Sequence, residues 1–103
     1  MRFLMRVTPT IEKGNATIKD GSLAKKIAAF MTEHKPEAAY FVEDGGKRTF
    51  HIVINISDPS QIPAMAEPFF LGFDATVEFM PAMTAEDLMK AMPSIELAIK
   101  KYG

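Results

Sequence analysis

The stretch Thr49-Phe50-His51-Ile52-Val53-Ile54-Asn55-Ile56 alternates strictly, so an extended chain puts Phe50, Ile52, Ile54 and Ile56 on one side and Thr49, His51, Val53 and Asn55 on the other. The first set is a core face. The second is unusual, because a solvated sheet face normally carries charged and hydroxyl side chains rather than a valine between an imidazole and an amide. Such a face is expected to meet another surface or a ligand.

Working outward, the preceding link Asp44-Gly45-Gly46-Lys47 supplies the glycines that a tight hairpin needs, and Glu37–Glu43 before it is extended and apolar. A hairpin of Glu37–Glu43 with Lys47–Ile56 is expected. Upstream, Arg2–Thr8 alternates Phe3, Met5 and Val7 against Arg2, Leu4, Arg6 and Thr8, and Pro9 closes that strand. Between these strands, Leu23, Ile27, Phe30, Met31 and His34 recur at three- and four-residue steps. This predicts one amphipathic helix over about Asn15–His34, with Asn15 or Asp20 as its cap. Pro36 stops it, and His34 complements the negative end of the helix dipole without any ligand.

Downstream, Asp58-Pro59-Ser60-Gln61 is a capping-box start for a second helix, which Pro68 is expected to bend or end, leaving Phe69–Phe73 as an apolar turn. Ala75–Met80 reads as a fourth strand, with Val77 and Phe79 opposite Thr76, Glu78 and Met80. After it, Thr84-Ala85-Glu86-Asp87 opens a helical tail over 83–103. Its apolar positions Leu88, Met92, Ile95, Ile99 and Tyr102 fall at heptad-like intervals, and Pro93 is expected to split it into Ala85–Ala91 and Ser94–Lys101.

The order is β-α-β-β-α-β plus a tail, the ferredoxin-like α+β arrangement with both helices on one sheet face, in one domain spanning 1–103. The open second face favours a symmetric homodimer.

Composition excludes several classes. With formal net charge −1 there is no basic footprint for nucleic acid or an anionic membrane surface, and neither is expected as a partner. An RNA-recognition sheet would place aromatics where this chain has Thr49, His51 and Val53. The absence of cysteine removes disulfides, thiolate metal sites and cysteine nucleophiles. Two histidines seventeen residues apart form no metal signature, so neither metal nor cofactor is expected. Gly45-Gly46-Lys47-Arg48 lacks the strand-to-helix context of a phosphate loop. The first nine residues are too short an apolar run for a signal or a membrane span, and a cytoplasmic location is the simplest expectation.

Several stretches carry a resemblance: Lys-Pro-Glu-Ala-Ala-Tyr-Phe at 35–41, Glu-Asp-Gly-Gly-Lys-Arg-Thr at 43–49, Asp58–Gly72, and Pro-Ala-Met-Thr-Ala-Glu-Asp-Leu at 81–88. Over nearly its whole length the chain resembles a group of small uncharacterised proteins in the dimeric α/β-barrel superfamily. That superfamily includes muconolactone-isomerase-like enzymes and cofactor-independent monooxygenases. The resemblance implies a dimer with ligand pockets between the sheet and its surroundings, and selects no residues.

The residues themselves select a set. If Phe3, Phe41, Phe50 and Phe79 face the helices, the other side collects Arg6, Tyr40, His51, Asn55 and Glu78 among Leu4, Val42, Val53 and Met80. A few polar groups in an apolar surround suit a small aromatic or carboxylated metabolite. His51 is the candidate general base, with Glu78 to orient it and Arg6 or Tyr40 to stabilise a carboxylate or enolate; Asn55 completes the ligand-binding set. Two alternatives stand beside this reading. One is a cofactor-independent isomerase or monooxygenase using His51. The other is a structural or interaction protein without ligand, in which Arg6 and Glu78 form an ion pair at a dimer face.

Overall fold

The computed structural model describes residues 1–103. Four strands, β1 (Arg2–Thr8), β2 (Ala38–Asp44), β3 (Lys47–Asn55) and β4 (Thr76–Pro81), form one sheet in the order β2-β3-β1-β4, every pair antiparallel. Four helices accompany them: α1 (Ile11–Lys19), α2 (Ser22–His34), α3 (Ile62–Phe73) and α4 (Ala85–Tyr102). This α+β arrangement is consistent with a ferredoxin-like fold. Strand limits agree with the sequence reading to within one residue.

The alternation in β1 and β3 builds the core. Met5, Val7, Phe50, Ile52 and Ile54 are buried on one sheet face, and Phe30 of α2 with Met65, Phe69 and Phe73 of α3 cover them. The aromatic rings interlock, with Phe69 4.7 Å from Phe30 and 6.0 Å from Phe73 between ring centroids. Between β2 and β3 the turn places Gly45 at φ 59° and Gly46 at φ 76°. Both are left-handed conformations that glycine adopts without strain.

Four expectations about helices need correction. The first helical region starts at Ile11, where the Thr10 side chain accepts from the Lys13 N–H, rather than at Asn15. It is also two helices, because Gly21 takes φ 79° and breaks the helical run, with Asp20 Oδ1 accepting from the Ser22 N–H. Pro68 neither ends nor interrupts α3, which runs on to Phe73. Proline leaves the carbonyl four residues back, that of Ala64, without its helical donor; Ala64 and Pro68 are both exposed, so the loss falls on the solvent side of the helix while Met65, Ala66, Phe69 and Phe73 hold the opposite side in the core. Pro93 likewise lies on the exposed outside of α4, which is one continuous helix.

The capping boxes read from the sequence are formed. Asp58 and Gln61 exchange hydrogen bonds ahead of a single 3-10 turn at Pro59–Gln61 that leads into α3, and Thr84 and Asp87 do so at the start of α4. The molecule is elongated, 58 × 29 × 20 Å, with a radius of gyration of 17.0 Å; a compact chain of this length has about 13 Å. The reason is α4, which buries none of its residues.

Candidate functional site

No helix of the core layer lies on the second sheet face, and the strand register decides what gathers there. Tyr40 pairs with His51, His51 with Arg6, and Arg6 with Glu78. The four side chains therefore stand in one row straight across all four strands, about 5 Å apart from strand to strand. The parallel row next to it holds Ala38, Val53, Leu4 and Met80. A polar row thus runs beside an apolar one. Arg6, His51, Leu4 and Val53 are half-buried, and Tyr40, Glu78 and Met80 are exposed.

Arg6 is the electrostatic centre. Its guanidinium pairs with Asp44 at the hairpin and lies 3.7 Å from a Glu78 oxygen. Between Arg6 and Asp44 on the sheet lies the row holding Val42 and Thr49; Thr49 is only 1% exposed although it belongs to the open face, and its hydroxyl donates to the Lys47 carbonyl. Glu78 engages Arg6, which stands between it and His51 in the row. The expected orientation of His51 by Glu78 is not what the register provides. Asp44 is the partner that the sequence reading missed, because that reading put it in the link after the strand, whereas it ends β2, paired with Lys47, where the hairpin register brings it within reach of Arg6.

Asn55 lies elsewhere. It is four residues along β3 from His51, about 13 Å away, opposite Arg2, and its Oδ1 accepts from the Met1 amino group at 2.6 Å. Together with Arg2, His34, Lys35 and Glu37 it lines a separate polar cleft of about 480 Å³. There Arg2 holds Glu37 through both Nε and Nη2 (3.0 and 2.8 Å), and this hydrogen-bonded pairing raises the guanidinium pKa further above its ordinary value. The His34 ring packs on Phe30 at a tilt of 41°, with centroids 4.6 Å apart, and lies 3.8 Å from a Glu33 oxygen. No group of three or more histidine, cysteine or carboxylate side chains converges in a way that could hold a metal ion. No helix is long and apolar enough to cross a membrane.

Two apolar depressions lie on the helix side. One, of about 360 Å³, runs between α2 and α3 past Phe30, Pro68 and Phe73. The other, of about 540 Å³, is the more apolar: Ile18, Leu23, Ile27, Phe41 and Phe50 line a groove between α2 and the β2 edge of the sheet. Phe41 faces the helix side as the alternation requires, yet it is 54% exposed, because neither α2 nor α3 extends over β2.

The fold and the cross-sheet row define a small α+β protein that presents one polar-apolar sheet face uncovered. Residues 1–96 match the model of the family described as "Domain of unknown function (DUF3303)", and the chain belongs to that family. No curated protein matches the chain.

Proposed function

We propose that the protein is a homodimer of the dimeric α/β-barrel kind that binds a small aromatic metabolite between its open sheet face and a second copy. The observation that carries this reading is the single row Tyr40, His51, Arg6 and Glu78, flanked by Leu4, Val53 and Met80. An apolar floor with a few fixed hydrogen-bonding groups is what a small-molecule site requires, and a second layer would supply the missing enclosure. Between the two ligand classes considered, the charge balance favours a phenol over a carboxylate. Arg6 is already neutralised by Asp44 and Glu78, so a carboxylate ligand has to displace one of them, whereas a phenolic hydroxyl can donate to His51 or Glu78 and accept from Tyr40.

The enzyme reading, a cofactor-independent isomerase or monooxygenase with His51 as base, draws support from the same row. It has less, because Arg6 separates His51 from Glu78. The test is ligand-induced thermal stabilisation with phenol and benzoate series. Phenols are expected to stabilise the wild-type protein, benzoates less so, and His51→Ala and Tyr40→Phe are expected to remove the effect. Equal stabilisation of wild type and both variants sinks the assignment, and turnover of a phenolic or lactone substrate that His51→Ala abolishes favours the enzyme.

A further inference from the structure

Helix α4 is the least explained element of the fold. Its 18 residues span about 27 Å, and Leu88, Met92, Ile95, Ile99 and Tyr102 follow one another at alternating steps of four and three residues along one stripe. The opposite side carries Glu86, Lys90, Lys100 and Lys101. Such a stripe is a packing seam. Within the chain all five side chains stay exposed, 44% at Leu88, 37% at both Met92 and Ile95, 62% at Ile99 and 86% at Tyr102. An isolated helix of this length is marginal in water, and a lone apolar stripe on a monomer is a contact surface.

The chain also has an apolar groove with nothing in it, the one between α2 and the β2 edge. Its own α4 cannot fill it. Strand order puts β2 and β4 at opposite edges of the sheet, and α4 leaves from the β4 edge, where the Ala82 N–H donates to the Arg2 carbonyl and Asp87 lies 4.0 Å from Arg2. A second copy removes the difficulty. When two open faces meet about a two-fold axis parallel to the strands, β4 of one copy lies along β2 of the other, and α4 emerges beside the other copy's groove.

We infer that α4 seats its Leu88–Tyr102 seam in the groove between α2 and β2 of a second copy, so that two reciprocal helices clasp the dimer and close the sheet-to-sheet site. The seam matches the groove in chemistry: five large apolar side chains meet Ile18, Leu23, Ile27, Phe41 and Phe50. The inference rests on the face-to-face dimer proposed above, and its test separates the two.

The chain lacks cysteine, so single cysteines report cleanly. Ile99→Cys protein is mixed with Ala24→Cys protein (groove) or Val53→Cys protein (open face) and treated with a short bismaleimide. The expected product is a covalent heterodimer with the Ala24→Cys partner and none with the Val53→Cys partner. In parallel, sedimentation equilibrium of Ile95→Glu is expected to show dimerisation weakened by about thirtyfold or more, as for a buried hot-spot residue, while Leu97→Glu on the other side of α4 leaves it unchanged. A dimer that survives Ile95→Glu, or one that cross-links through Val53→Cys instead, overturns the clasp and leaves the face-to-face dimer standing. A wild-type protein that sediments as a monomer overturns both. Loss of phenol binding in a correctly cross-linked dimer counts only against the ligand.

Discussion

At the scale of single residues, burial separates the side chains that hold the fold from those that await a partner. Phe69 is 2% exposed and touches Phe30, Phe50 and Phe73, joining both core helices to the sheet. Its truncation leaves a cavity that three rings cannot easily refill. Phe69→Ala is expected to cost about 3–5 kcal/mol, a large part of the stability of a domain this size, and urea unfolding followed by circular dichroism measures it. His51 and Tyr40 are different, because they contribute to no core cluster. Their removal is expected to leave the unfolding midpoint nearly unchanged while abolishing the phenol response. The alternation identified both groups, and the strand register added what alternation alone does not contain, the placement of Arg6 between His51 and Glu78.

At the scale of elements, the two internal prolines show where local rules yield to packing. A proline disrupts a helix by removing one hydrogen bond and crowding the previous turn, and both cases here point that cost toward solvent. For α3 the gain is evident, since Phe69 and Phe73 lie beyond Pro68 and anchor the last turn in the core. For α4 no such anchor exists within the chain. Pro93→Ala is therefore expected to increase helical content, read by far-ultraviolet circular dichroism, and to raise the melting temperature, because nothing in this chain packs against Pro93 to oppose the gain of about 3 kcal/mol in intrinsic helix propensity. An unchanged spectrum would mean that α4 is held by other means. Gly21 illustrates the opposite lesson: its left-handed conformation divides α1 from α2, whereas the apolar periodicity, Leu23 to His34, lies wholly within α2 and does not reach the break.

At the scale of the whole molecule, three aspartates that serve as caps tie stability to pH. Hydrogen bonds from Ser60 to Asp58, from Thr84 to Asp87 and from Ser22 to Asp20 hold each carboxyl below its usual range. Because the folded value is depressed in each case, their stabilisation is fully present above the unfolded carboxylate pKa, about 3.9. It is lost as pH falls through the lower folded values. Urea midpoints are expected to hold steady between neutral pH and about pH 5 and to fall below it. The triple variant Asp20→Asn, Asp58→Asn, Asp87→Asn keeps cap-competent side chains without their titration and is expected to show a shallower fall; an identical profile would assign the acid sensitivity to other groups.

The sequence by itself determined the four strands, the core face of each and the capping of α3 and α4, because these depend on period-two alternation, on glycine's access to positive φ and on side-chain hydrogen bonds spanning three residues. Tertiary structure alone decided the rest. Cross-strand register brought Tyr40, His51, Arg6 and Glu78 into one row, drew in Asp44 and sent Asn55 to another cleft, and the core's grip on Phe69 and Phe73 carried α3 past Pro68. The empty groove beside β2 and the unburied seam of α4 exist only once the sheet order is known, since they record which apolar surfaces the folded chain cannot bring to each other.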